Sequence, residues 1–395
     1  MRKHGRVIGA LAALATALLT GSTLSVTGAA ASDTTTASHP TAACSAPAGT
    51  ARSRGMTRAV SSKTGCATSA TSASTATPPT STASDPSIGT PPLLYHGGPV
   101  MGTKQTGPLF VTPIFWTPAG HPMDAAYTSI IRQYLSDVAA DSGKHTNVYS
   151  TLNEYYGTNG VIRYKMKLTK PVTDTASLPA DGCEVAADDT TNIYADLTGY
   201  DACLDDSQVI AETNRVVASK DLPVDYGHIY VMFLPKHVES CFFAGSTLTS
   251  ANACTINHQP SAAYCAYHNQ DTGQGTVYAN MPFPVYLSPV GYTCGSNARG
   301  HGIIESPNGN PDADTEISPT SHEIMEAATD PDTVTGWYDR SGYENGDECA
   351  YVYGTMSGTA GSRYNQVING HQYLTQEEFS NRDFALTGRG CLPFE

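Results

Sequence analysis

The stretch Ser318-Pro-Thr-Ser-His-Glu-Ile-Met-Glu-Ala-Ala-Thr-Asp-Pro331 concentrates the side chains best suited to chemistry. His322 and Glu326 are four residues apart, so on a helix they share one face. Glu323 follows His322 directly and stands about 100° round the same helix. This is the layout of H-E-x-x-H with a carboxylate in place of the second histidine. In that motif the outer residues grip zinc and the inner Glu takes a proton from water. Zinc accepts a carboxylate oxygen, but a second anionic ligand lowers its Lewis acidity and raises the pKa of bound water. The expectation is a zinc site with His322 and Glu326 as ligands and Glu323 as general base. The plainer alternative is a solvated helix with helix-favouring carboxylates.

A third ligand is expected downstream. Tyr343-Glu-Asn-Gly-Asp-Glu-Cys349 supplies Glu344 and Asp347, and Glu344 lies 18 residues after Glu326. Asp330 and Asp332 are nearer candidates. Asp332 is ten positions after His322, where one class of zinc protease places its third ligand, and Met356 would then suit that class's methionine turn. A hard cation competes with zinc. Asn308, Asn310, Asp312, Asp314 and Glu316 put an oxygen ligand at every other residue, which suits calcium. The Gly that an EF-hand loop needs at its sixth position is absent, since Ala313 stands there, and a polar surface loop reads equally well. His228 and His237 bracket an apolar run and read as structural, whereas His268, close to Cys265, is a weaker site candidate. A nucleophile elbow, a P-loop and a dinucleotide fingerprint are all absent.

Regular elements must hold these residues. Ser318 as N-cap and Pro319 at the first helical position would open the motif's helix, which should end near Asp330, before Pro331. Asp124 can cap a helix from Ala125 to about Asp141, with an apolar stripe of Tyr127, Ile130, Ile131, Tyr134, Leu135 and Val138. Ser207 can cap another through Ser219. Residues 109–116 and 228–234 read as apolar strands, and 162–168 alternates like a strand with one wet face. From Ser240 to Asn310 the chain is rich in Cys, Gly, Asn, Pro and Tyr and reads as disulfide-tied loops. The expected fold is α/β or α+β, a single mixed-sheet domain with helices and long disulfide-tied loops, a zincin-like arrangement being one form of it.

Compartment follows from the N-terminus. Arg2, Lys3 and Arg6 precede an apolar run from Val7 to Leu19, too short to span a bilayer, and Ala29-Ala30-Ala31 offers a cleavage site. Residues 1–31 read as a signal peptide, 32–91 as a Ser/Thr/Ala/Pro-rich disordered linker or pro-segment, and 92–395 as the working domain. Ten cysteines without a C-x-x-C spacing fit an exported disulfide framework whose connectivity the sequence leaves open, Cys183–Cys203 and Cys349–Cys391 being two local pairs it allows. The whole chain carries −14, and the domain is more acidic than its N-terminal segment, which argues against nucleic acid and anionic membrane surfaces as partners.

Taken together, the motifs resemble the phosphate-induced/EXORDIUM family of secreted proteins, in its bacterial form, from about Leu93 to Cys391. Leu94-Tyr-His-Gly-Gly-Pro-Val100 looks like the family's opening Tyr-His segment, and Phe115-Trp116 falls where a Trp-Tyr-Gly segment sits. Cys265-Ala-Tyr-His268 resembles a Cys-Gly-Phe-His element, and Ser306-Pro-Asn-Gly309 a Pro-Asn-Gly before the helix. His322-Glu323 with Glu326 resembles His-Glu-Leu-Ala-Glu. Gly336-Trp-Tyr338 followed by Glu344, Gly346, Asp347 and Cys349 resembles Trp-Tyr with Glu-Ile-Gly-Asp-x-Cys. Plant members differ where Asp330 and Asp332 stand, so the resemblance favours Glu344 and Asp347 as ligands and raises His268. It implies an extracellular or wall-associated protein and no particular reaction. The leading expectation is a secreted metalloprotein, a zinc-dependent peptidase acting on extracellular protein, peptide or cell-wall material. The alternative is a non-enzymatic binding protein of the extracellular space or cell wall. A calcium-stabilised module is third.

Overall fold

The computed structural model describes residues 56–58, 60–61 and 83–395, except 186–199, 248–253, 256–263, 285–291 and 298–302. Seven strands build the main sheet: β1 Met56–Arg58, β2 Leu109–Trp116, β3 Met166–Leu168, β4 Val172–Asp174, β5 His228–Phe233, β6 Tyr264–Gln270 and β7 Val277–Met281. Their order is β1-β6-β7-β5-β2-β3, with β4 also on β2. The pairs β7–β5, β5–β2, β2–β3 and β2–β4 are parallel. β6 runs antiparallel to β7, and β1 antiparallel to β6. The fold is a mixed α/β sheet with helices.

Parallel strands covered on both faces read as unbroken apolar runs, and β5 shows why. Ile229, Val231 and Phe233 enter one core with α1 (Ala125–Ala140) and α3 (Pro311–Thr329), whereas Tyr230 and Met232 enter another with α2 (Asp206–Ser219). Pro113 lies inside the central strand β2, where a missing N–H would ordinarily break a ladder. It fits because β3 pairs with Leu109–Val111 and β4 with Ile114–Trp116, so Pro113 falls in the gap between them.

Helix α1 begins at Asp124, whose side chain accepts from the Ala126 N–H, and buries Tyr127, Ile131, Tyr134, Leu135 and Val138. Helix α2 starts two residues before the expected position. Asp205, not Ser207, is its cap, in a reciprocal capping box with Gln208. In the 162–168 stretch Ile162, Tyr164 and Met166 are buried as the alternation requires, although only Met166–Leu168 joins the ladder.

Other expectations need correction. Helix α3 begins at Pro311, capped by Asn310, so Ser318 is not its cap and Pro319 is interior. A proline there forfeits a backbone bond, but every residue from Ala313 to Thr329 is buried, and that packing overrides the local signal. The Asn308–Glu316 run is therefore no calcium loop, because its second half is the first turns of α3. Residues 240–310 are not only loops, since β6 and β7 lie within them. Part of the 32–91 segment belongs to the fold as well. β1 joins the sheet, Val60–Ser61 pairs with Tyr292–Thr293, Ser84 bridges to Cys391, and Ser87 Oγ donates to the Ala350 carbonyl at 2.9 Å.

Four disulfides occur among the described residues. Cys183–Cys203 and Cys349–Cys391 are the expected local pairs, joined by Cys241–Cys254 and Cys265–Cys294. No helix of the described residues is long and apolar enough to cross a membrane.

Candidate metal centre

Three elements bring the chemistry together. Helix α3 lies against β6, β7 and α1 and carries His322, Glu323 and Glu326. The antiparallel strand β6 carries His268. A short helix, α4 (Asn345–Glu348), carries Asp347 and follows Glu344, whose backbone N–H donates to Asp347 Oδ2 at 3.3 Å. The Asp347 N–H donates to Glu326 Oε1 at 3.0 Å. The α4 backbone comes this near because residue 346 is glycine. A Cβ there would stand 2.7 Å from His322 Nδ1 and 3.0 Å from Glu326 Oε1.

Two groups of ligand atoms share Glu326. In the first, His322 Nε2 lies 2.9 Å from Glu326 Oε1 and 3.8 Å from Asp347 Oδ1. Despite that approach, His322 Nε2 makes no hydrogen bond with the carboxylate. Lone pairs that converge on a common point, as ligands of one ion do, give such close contacts without hydrogen-bond alignment. In the second group, His268 Nδ1 lies 3.2 Å from Glu323 Oε2 and 3.6 Å from Glu326 Oε2. The other ring nitrogen, Nε2, is 2.9 Å from the Asp330 carbonyl, which can only accept. That contact assigns the proton to Nε2 and turns the Nδ1 lone pair towards two carboxylates. A proton or a cation is needed between them.

His268 is 1% exposed, and His322, Glu323, Glu326 and Glu344 are 0% exposed. Among the described residues, Glu326 and Glu344 have ion pairs with histidines only. Burying carboxylates without compensation is costly, so such groups take up protons or bind metal. Burial drives Glu326 well above the ordinary carboxylate range, and the charges of Asp347, Glu323 and Glu378 push it further. Glu344 rises for the same reasons, burial first and then Glu326. Burial lifts Glu378 to about 8. Among the described residues, both oxygens of Glu344, Glu326 Oε2 and both ring nitrogens of His322 lack hydrogen-bond partners. One imidazole, two carboxylates and unsatisfied buried lone pairs fit a divalent cation, and the nitrogen ligand favours zinc over calcium.

The sequence-predicted residues divide. His322, Glu326 and Asp347 come together, with Glu323 beside them. Glu344 lies on the His268 side instead, with Oε1 3.7 Å from His268 Nε2. Asp332 is engaged elsewhere, accepting from the Val334 and Thr335 N–H groups at 3.0 and 2.7 Å. Asp330 contributes its carbonyl, to His268. Met356 packs against Ala350, Tyr351, Tyr353 and Leu374, so it is packing and not a methionine turn. His228 stacks on Phe110 and bonds Asp225, a structural role. His268, the weaker candidate from sequence, stands with Glu323 and Glu326. Its signal was Cys265, three residues earlier and tied to Cys294, which fixes the strand. The cysteine groups near Cys203 and Cys241 are disulfides and offer no thiolate.

The Tyr95-His96 and Trp337-Tyr338 motifs also meet. Trp337 pairs with Tyr95, and His96 stacks on Tyr338 at 3.5 Å. No protein-family model, curated protein or solved structure matched this chain in comparison.

Proposed function

We propose that this is a secreted metalloprotein whose His322–Glu326–Asp347 centre holds a zinc ion, and that it acts as a zinc-dependent peptidase. The observation that carries the reading is the convergence of one imidazole and two carboxylates in a buried site, with a third carboxylate adjacent. Bound zinc supplies Lewis acidity, polarising a carbonyl and making water easier to deprotonate. Glu323 accepts the proton from water and returns it to the leaving amine. His268, held by the Asp330 carbonyl, stands with Nδ1 3.2 Å from Glu323 Oε2 and so limits where that carboxylate can turn. The disulfides and the signal-like N-terminus support an extracellular location, and the EXORDIUM resemblance agrees with it.

Glu323→Gln tests the catalytic role, because it keeps shape and removes the base. Retained zinc with peptide hydrolysis slowed by ~10²–10⁴-fold is expected. Unchanged hydrolysis excludes Glu323 as the base.

One observation favours the non-enzymatic alternative, an extracellular or wall-associated binding protein. Glu323, Glu326 and His322 are all fully buried, as in a closed structural site, whereas a catalytic ion needs an open position. Zinc in the protein with no hydrolysis of any peptide library would select that reading.

A further inference from the structure

Strand β1 comes from the N-terminal segment and lies along the free edge of β6. Met56 is opposite Tyr267, Thr57 opposite Ala266 and Arg58 opposite Tyr264, with an irregularity between the last two pairs. The same segment continues as Val60–Ser61 against Thr293 and Tyr292. The two edges it follows are stapled by Cys265–Cys294. β1 also touches α3 and α4, the helices that carry the ligand set. One step further along this register, an occupant's backbone comes opposite His268, which faces Glu323 and Glu326.

We propose that the β6 edge is a binding site for an extended peptide, paired antiparallel through backbone hydrogen bonds, and that Met56–Arg58 is the chain's own occupant of it. Main-chain pairing to a sheet edge gives affinity without demanding a sequence. A three-residue strand with an irregularity makes few such bonds, so it is replaceable by a longer peptide. Residues 62–82 contain no large apolar side chain. The ligand side chains are buried with β1 in place, and its departure exposes the β6 edge. The cleavage consequence rests on the peptidase reading, but the binding site itself does not. Simple protection of an edge strand is the rival explanation.

The test uses the full secreted chain with a site-specific protease sequence inserted between Ser61 and Ala83. A fluorescent peptide of residues 54–61 is titrated by anisotropy before and after the cut, with zinc content and peptide hydrolysis followed in parallel. The intact chain carrying Thr57→Pro, which removes a backbone donor from β1, is the second variant. The proposal expects the labelled peptide to bind at least ~10-fold more tightly after the cut and in Thr57→Pro. Unchanged binding in both overturns it. Tighter binding without hydrolysis upholds the peptide site and sinks the peptidase reading, so the two fail separately.

Discussion

The two halves of α3 are both acidic, and only one has the makings of a metal site. In the first half Asp314 is fully engaged. It accepts from Ser306 Oγ at 2.6 Å and from the Asn308 N–H and Nδ2 at 3.1 and 2.6 Å. Those bonds tie the preceding turn to the helix, and they leave its lone pairs occupied. In the second half His322 and Glu326 are buried, and among the described residues their ring nitrogens and one carboxylate oxygen have no hydrogen bond. Oxygen-rich spacing therefore does not mark a cation site. Buried ligand atoms that face one another and lack hydrogen bonds are the stronger reason to propose one.

Substitutions should separate the halves. Glu326→Ala removes the residue shared by both ligand groups and should weaken zinc binding by more than ~100-fold, beyond the usual cost of an outer-shell change. Competition with a chromophoric chelator measures it, and an affinity within a factor of a few of wild type would contradict the shared-ligand assignment. Gly346→Ala pushes a methyl against His322 and Glu326 without touching any ligand chemically. It should cost ~10–100-fold in zinc affinity by the same titration, and an unaltered affinity would mean α4 yields.

The pH response of the metal-free protein comes next. Burial holds Glu378 at about 8 and Glu348 at about 9, against an ordinary 4.5. The folded chain keeps protons that the unfolded chain releases. Stability is thus fully present below the ordinary carboxyl range and is lost as pH rises through the folded values. Tm of the chelated protein should fall by on the order of 5 °C or more between pH 5 and 9. Zinc should flatten the fall, because a cation compensates the same charges. A rising Tm over that range in the chelated protein would contradict the buried-acid account. Smallest of all, Asp314→Asn should cost about 1 kcal/mol in denaturant unfolding and leave zinc affinity unmoved. A loss of zinc in that variant would erase the distinction between the halves.

The second half was legible because helical periodicity puts His322 and Glu326 on one face whatever surrounds them. Asp347 was legible only as one of two, since Glu344 and Asp347 are three residues apart and their sides of α4 depend on how it docks. The first half misled because alternate spacing suits a loop, whereas Asn310 followed by Pro311 opens a helix. Ser318-Pro319 gave the same start signal later, and the sequence ranks neither above the other without the packing of α1, β6 and β7. Strand β6 was hidden by its composition: Cys, His, Asn and Gln around two tyrosines read as loop until β7 pairs with it. β1 was hidden for the same reason in stronger form, because its surroundings hold almost no apolar side chains.

Metal analysis by mass spectrometry of the purified secreted protein, beside His322→Ala and Asp314→Asn, bears most directly on the centre. At least one zinc per chain in the wild type and in Asp314→Asn, lost in His322→Ala, is the predicted result. Zinc absent from the wild type, or retained in His322→Ala, would contradict it.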